Sequence, residues 1–143
     1  MKIINFSPKY LNDIIAIENA SFPKPWTREM FLDSLDNETV RFNLALENDH
    51  VAGYCLFSIV CETAEILSIA VAPEFRRRSF AKQMIMQSFD LARLSGAREM
   101  FLEVRAGNTA AQKLYLSLGF EQTAVRKKYY IDEDGIILRK GLQ

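Results

Sequence analysis

The sequence predicts a mixed-sheet α/β fold of about seven mostly antiparallel strands flanked by about four helices. Three observations carry that expectation. Short β-rich runs recur along the chain. Segments with helical apolar spacing interrupt them. The runs in the middle are separated by only a few turn-forming residues, which makes them antiparallel neighbours.

Lys2 to Phe6 reads as a short strand. Pro8 opens an amphipathic helix whose apolar stripe is Leu11, Ile14, Ile15 and Ile17. Phe22-Pro23-Lys24-Pro25-Trp26 must break it, because two prolines remove backbone donors and fix φ. Thr27 is the expected N-cap of a second helix carrying Met30, Phe31 and Leu35. Strands follow at Phe42 to Glu47, Val51 to Val60 and Glu65 to Val71, with the Asn48-Asp49-His50 turn between the first two. Pro73 ends the third. A helix is expected over Ser79 to Ser95, stopped by Gly96, then a strand over Met100 to Val104. Asn108 starts a further helix that Gly119 closes. Glu121 to Ile131 and Gly135 to Arg139 form a final hairpin. The expected order is β-α-α-β-β-β-α-β-α-β-β.

Composition narrows the class. The chain has 143 residues, 49% of them apolar and 25% charged, which suits one domain over 1–143 and excludes a disordered polyelectrolyte. Lys plus Arg and Asp plus Glu are 18 each, and zero net charge argues against nucleic-acid binding. No apolar run approaches the about 20 residues that span a bilayer, so no membrane partner is expected. Met1 to Phe6 lacks a secretory pattern, and a cytoplasmic location is expected. Cys55 and Cys61 form no metal pattern and are expected to be reduced thiols acting as small core residues. His50 is expected in a solvent-facing turn, and one histidine builds no metal site.

Three segments carry chemistry. The first runs from Ile69 through Arg76-Arg77-Arg78-Ser79-Phe80-Ala81-Lys82, a strand, a basic loop and a helix start. Free N–H groups at a helix start suit a phosphate. The second is Phe101-Leu102-Glu103-Val104-Arg105-Ala106-Gly107-Asn108. The third is Leu114-Tyr115-Leu116-Ser117-Leu118-Gly119-Phe120. Alternation turns Glu103 to the face opposite Leu102 and Val104, and sets Glu65 with Leu67 and Ile69.

With these segments in this order, the chain resembles the Gcn5-related N-acetyltransferases, and among them the ribosomal-protein-alanine N-acetyltransferases of bacteria. Ile69-Ala70-Val71, Leu102 to Asn108, Leu114 to Phe120 and the Tyr129-to-Leu138 hairpin match. Pro23 to Trp26 matches loosely. The resemblance implies direct acetyl transfer from acetyl-coenzyme A to a protein or peptide N-terminus, an alanine of a ribosomal protein. It implies that Ile69, Ala70 and Val71 pair with the cofactor's pantetheine arm, and that Arg76 to Lys82 hold its pyrophosphate. Asn108 would contact the same arm. Glu103 would be the base, with Glu65 as competitor, and Tyr115 the acid. Trp26, Tyr129, Tyr130, Asp132 and Glu133 would border the acceptor, the acids favouring a basic peptide. Other readings are acetylation of a small amine and a non-catalytic coenzyme A sensor. Ser79 departs from the family, which has glycine there. It is expected as an unstrained helix N-cap, so that Ser79→Gly changes cofactor affinity less than about tenfold.

Overall fold

The structure is a computed structural model that describes residues 1–130 and 132–142. Its elements are β1 (Lys2–Asn5), α1 (Leu11–Ser21), α2 (Arg28–Leu35), β2 (Val40–Glu47), β3 (His50–Val60), β4 (Thr63–Val71), α3 (Phe80–Leu94), β5 (Glu99–Arg105), α4 (Thr109–Ser117), β6 (Glu121–Tyr130) and β7 (Glu133–Gly141). The strands form a seven-stranded sheet in the order β1-β2-β3-β4-β5-β7-β6. The β2–β3, β5–β7 and β6–β7 pairs are antiparallel, and β4 with β5 is parallel over Thr63–Glu65 and Glu99–Phe101. Element types and order match the expectation, and the ends move by a residue or two. Pro8–Tyr10 forms a separate 3-10 turn, so the first helix proper begins at Leu11. Ile131, the expected end of β6, lies outside the described residues.

The punctuation works by the expected chemistry. Thr27 Oγ1 accepts the Met30 N–H at 3.2 Å, capping α2. Gly96 and Gly119 end α3 and α4 with φ of 89° and 97°, a left-handed conformation that glycine adopts without steric penalty.

The chain separates into two compact units. The first holds Met1–Ser58 and Leu67–Ser88. Its core is aromatic: Phe31 lies 5.9 Å from Phe42 and 6.0 Å from Tyr54, and Trp26 is 5.3 Å from Phe31. Leu11, Ile14 and Ile17 of α1 are buried against it. The second unit holds Ile59–Ile66 and Phe89–Gln143. There Phe120 packs against Phe89 and Tyr115, each at 5.9 Å, and Met100, Leu102, Val104 and Leu138 are buried. Cys55 is buried as expected, and burial pushes its thiol up to about 12. Cys61 is a correction: it is exposed, at φ 54°, because it sits in the turn that joins β3 to β4 rather than in a strand.

Gly53 of β3 marks a close approach. A Cβ built there would stand 2.6 Å from the Ala70 carbonyl oxygen and 3.3 Å from the Val71 Cα. Backbone cannot swing aside as a side chain does. Gly53→Ala is therefore expected to displace β4 and lower stability by about 1–3 kcal/mol in denaturant titration.

Candidate active site

In the first unit, β4 delivers Ile69, Ala70 and Val71. Its burial alternates, with Ala70 buried and Ile69 and Val71 half-buried. The Ala72 N–H donates to the Ala52 carbonyl of β3 at 2.7 Å. Ala70 and Ala72 thus turn toward β3, and strand alternation turns the backbone groups of Ile69 and Val71 away from it. The Val71 carbonyl already accepts a bond from Arg76 Nε at 3.1 Å, and Arg76 also reaches Ser21 Oγ of α1 at 3.3 Å.

The loop after β4 begins as a 3-10 turn over Pro73–Phe75 and then alternates in hand. Arg77 has φ 64° and Ser79 has φ 65°, while Arg78 between them is not left-handed. Successive N–H groups in such an alternation converge into a concave anion-binding nest, and here the nest runs into the N-terminus of α3. Ser79 sits at the N-cap position, its carbonyl accepting the Gln83 N–H at 3.1 Å. The expectation of an unstrained N-cap is corrected: the backbone is left-handed, a conformation that costs a non-glycine residue roughly 1–2 kcal/mol.

The three arginines divide their work. Arg76 braces Val71, as above. Arg78 pairs with Glu47 at 3.0 Å and lies over the rings of Phe75 and Phe80. Arg77 has no ion-pair partner among the described residues. Phe80 is buried, so its backbone rather than its ring is what the nest presents. Ala81 and Lys82 lie in the first turn of α3, Lys82 exposed.

In the second unit, β5 alternates so that Met100, Leu102 and Val104 are buried while Phe101, Glu103 and Arg105 share the other face. The Glu103 carboxylate is divided. Oε1 pairs with Arg126 of β6 at 3.2 Å, whereas Oε2 is buried and accepts no hydrogen bond among the described residues. The carboxylate lies over Gly135 of β7, where a Cβ would collide with Oε2. Arg126 also stacks at 3.7 Å on the Tyr129 ring, which is exposed and 5.0 Å from Tyr130. Burial raises the Tyr130 phenol above its ordinary range, with the Glu103 charge as the next cause. Tyr115 is buried on α4 against Phe120. Asn108 caps α4, its Oδ1 accepting the Ala111 N–H at 3.2 Å. Glu65 is exposed on β4, opposite Phe101 of β5.

The acidic hairpin also makes ion pairs within the chain. Arg105 pairs with both Asp132 and Glu133 at 3.1 Å and lies 4.2 Å from the Tyr130 ring centre. Glu133 also accepts the Gly107 N–H at 2.9 Å, and Asp134 pairs with Lys127 at 3.4 Å. These three carboxylates share two cations, Arg105 and Lys127, so the hairpin keeps an excess of negative charge, with Asp132 exposed. The Arg126 contact with Glu103 and a buried network around Glu18 are features the sequence reading passed over. Glu18 had a signal, standing seven residues after Leu11 and four after Ile14 on a helical face that is otherwise apolar.

The model of the acetyltransferase (GNAT) family matches residues 11–120. A Bacillus subtilis (strain 168) protein with the provisional name ribosomal protein bS18-alanine N-acetyltransferase is 37% identical over 131 residues, 90% of this chain and 87% of that protein. The Escherichia coli (strain K12) ribosomal protein bS18-alanine N-acetyltransferase is 31% identical over 119 residues, 83% and 80% of the two chains. The crystal structure of the ribosomal-protein-S18-alanine N-acetyltransferase from Escherichia coli superposes with a TM-score of 0.92 at 28% identity, covering 99% of this chain and 94% of that one. Ard1 from Thermoplasma volcanium gives 0.93 at 27% identity, covering 99% and 97%. Family match, relatives and site chemistry agree: this chain belongs to the GNAT acetyltransferase family.

Proposed function

We propose that the chain transfers the acetyl group of acetyl-CoA to the α-amino group of a protein N-terminus, an N-terminal alanine of a ribosomal protein. The acceptor class rests on the named relatives. The observation that carries the chemistry is the divided carboxylate of Glu103, with one oxygen held by Arg126 and the other buried and unpartnered.

Acetyl-CoA supplies an activated acyl thioester. The left-handed pair Arg77 and Ser79 and the start of α3 fit its pyrophosphate, because converging N–H groups favour an anion. Arg77 adds a cation there, and Ile69 and Val71 present strand-type backbone groups to an extended arm. An α-amino group has a pKa of about 7.7–8.0, so at neutral pH it must shed one proton before it attacks. Glu103 Oε2 takes that proton, directly or through one water. Nitrogen then bonds to the acyl carbon as the carbon–sulfur bond breaks. The Tyr115 hydroxyl gives its proton to the departing sulfur, a role suited to a phenol that is protonated at rest, and the surplus proton of the acylated nitrogen returns to the phenolate, leaving a neutral amide and coenzyme A as the free thiol. Trp26, Tyr129 and Tyr130 offer rings to the acceptor, and Asp132 and Glu133 border it with the hairpin's excess negative charge.

Mass spectrometry of acetyl transfer tests this reading with three acceptors: alanine-initiated ribosomal-protein peptides, the same peptides with blocked N-termini, and small amines. Only the first should gain an acetyl group. Preference for the small amines would replace the acceptor class. Glu103→Gln and Tyr115→Phe should each lower kcat by about 10²–10⁴-fold without weakening acetyl-CoA binding. Full activity in both variants would remove these roles and move attention to Glu65.

The loop makes a separate prediction. The strain at Ser79 is present before any ligand binds, so it cancels from the binding equilibrium but not from folding. Ser79→Gly should raise stability by up to about 1 kcal/mol, the strain relieved being partly offset by glycine's unfolded-state entropy. Its acetyl-CoA dissociation constant should change less than about tenfold. Thermal unfolding and calorimetric titration read the two effects independently.

A further inference from the structure

Glu18 is 1% exposed on the core face of α1, beside Leu11, Ile14 and Ile17. A carboxylate in that position is costly, and an apolar residue would fill the face more cheaply. No lysine, arginine or histidine pairs with it among the described residues. It is held instead by three neutral donors. The Tyr54 hydroxyl and the Ser68 hydroxyl, the latter at 3.2 Å, donate to Oε1, and the Trp26 backbone N–H donates to Oε2 at 2.8 Å. Burial, and then the Glu18 charge, push the Tyr54 phenol far above its ordinary range, so it stays a donor.

The two oxygens have different duties. Oε1 faces hydroxyls of the sheet, Tyr54 on β3 and Ser68 on β4. Oε2 faces the loop between α1 and α2. That loop, Phe22–Trp26, contains Pro23 and Pro25, which bring no N–H of their own. Its remaining donors are few. The Phe22 N–H bonds to the Glu18 carbonyl at 3.1 Å, and the Trp26 N–H bonds to the Glu18 carboxylate. One residue therefore grips both ends of the loop. The Trp26 ring leans on the buried Phe31 and is itself half-buried against the core.

We propose that Glu18 is a positioning residue for the acceptor: its buried carboxylate fixes the Phe22–Trp26 loop on the sheet and so sets the Trp26 ring against which the acceptor's first residue lies. The proposal rests on the reading that Trp26 borders the acceptor. A buried polar group is used where an apolar residue would not serve, because only a long side chain ending in two polar atoms can meet the sheet hydroxyls and the loop backbone together.

Trp26 is the chain's one tryptophan, so its fluorescence reports the loop in the resting enzyme. Glu18→Leu keeps the volume and removes the grip. Acrylamide quenching of Trp26 should rise, and KM for an alanine-initiated peptide should rise about tenfold or more. At the same time kcat should stay within about threefold, since the group acts before the chemical step. Acetyl-CoA affinity by calorimetry should be unchanged. Glu18→Gln should restore both quenching and KM, its amide oxygen accepting from Trp26 while the two hydroxyls rotate to accept from its NH₂. Tyr54→Phe removes a bond from the same buried network but leaves the Trp26 bond. It should lose stability with no change in quenching or KM, which separates loop positioning from general destabilisation. Unchanged quenching in Glu18→Leu overturns the positioning role. Raised quenching with an unchanged KM overturns the placement of the acceptor on Trp26. Equal KM effects in Tyr54→Phe and Glu18→Leu reduce the role to stability alone. Should Glu18→Leu not fold, Glu18→Asp keeps the charge but is one methylene too short for all three donors. Wild-type quenching and KM in Glu18→Asp would then refute the proposal.

Discussion

Strand alternation is the constraint on which both packing and chemistry depend. Successive side chains of a strand point to opposite faces, so each strand offers one row to the core and one row to other uses. On β5 the core row is Met100, Leu102 and Val104, and the other is Phe101, Glu103 and Arg105. On β4, Ala64, Ile66, Ser68 and Ala70 are the buried row, and Glu65, Leu67, Ile69 and Val71 are the alternate. A slip of one residue would exchange the rows and place Glu103 in the core. The apolar residues that hold each strand in register are therefore also what aims its polar ones.

Electrostatics then sorts the polar row. Asp132, Glu133 and Asp134 share Arg105 and Lys127, and such half-exposed pairs add little stability. Their effect is on shape: Glu133 joins the Arg105 guanidinium to the Gly107 N–H and so fixes the approach to the N-cap of α4. Glu103 is the exception, because its Oε2 is enclosed without a partner. An enclosed lone oxygen on a carboxylate is costly in a resting fold, and it retains its capacity to take a proton from a bound amine.

Two further local costs fall in segments assigned above to the proposed site. Ser79 accepts a left-handed backbone where glycine would be unstrained, and Glu18 keeps a charge where leucine would pack. Conflicts between local preference and fold tend to collect at functional sites, because surrounding structure must over-determine them to hold them. The loop at Ser79 is bracketed by Phe75 and Phe80, packed edge to face at 5.6 Å, and the Glu18 carboxylate by three donors from separate elements.

Fold class, element order, helix caps and the family were legible in the sequence, because each is written locally. Thr27 and Asn108 cap, Gly96 and Gly119 stop, and period-two runs make strands through interactions within a few residues. The candidate base and acid were legible through motif context. What the tertiary structure alone decided were pairings across long separations. Arg126 meets Glu103 from 23 residues away, and Arg105 turns to the hairpin acids rather than to Glu103. Glu18 gathers donors 8, 36 and 50 residues along the chain. The hand of the Ser79 backbone was hidden for a related reason. Serine suits an N-cap equally well in either reading, and φ is imposed by the path of the loop between a fixed strand end and a fixed helix start. Local propensity sees only near neighbours, whereas register and loop closure are settled by the whole chain.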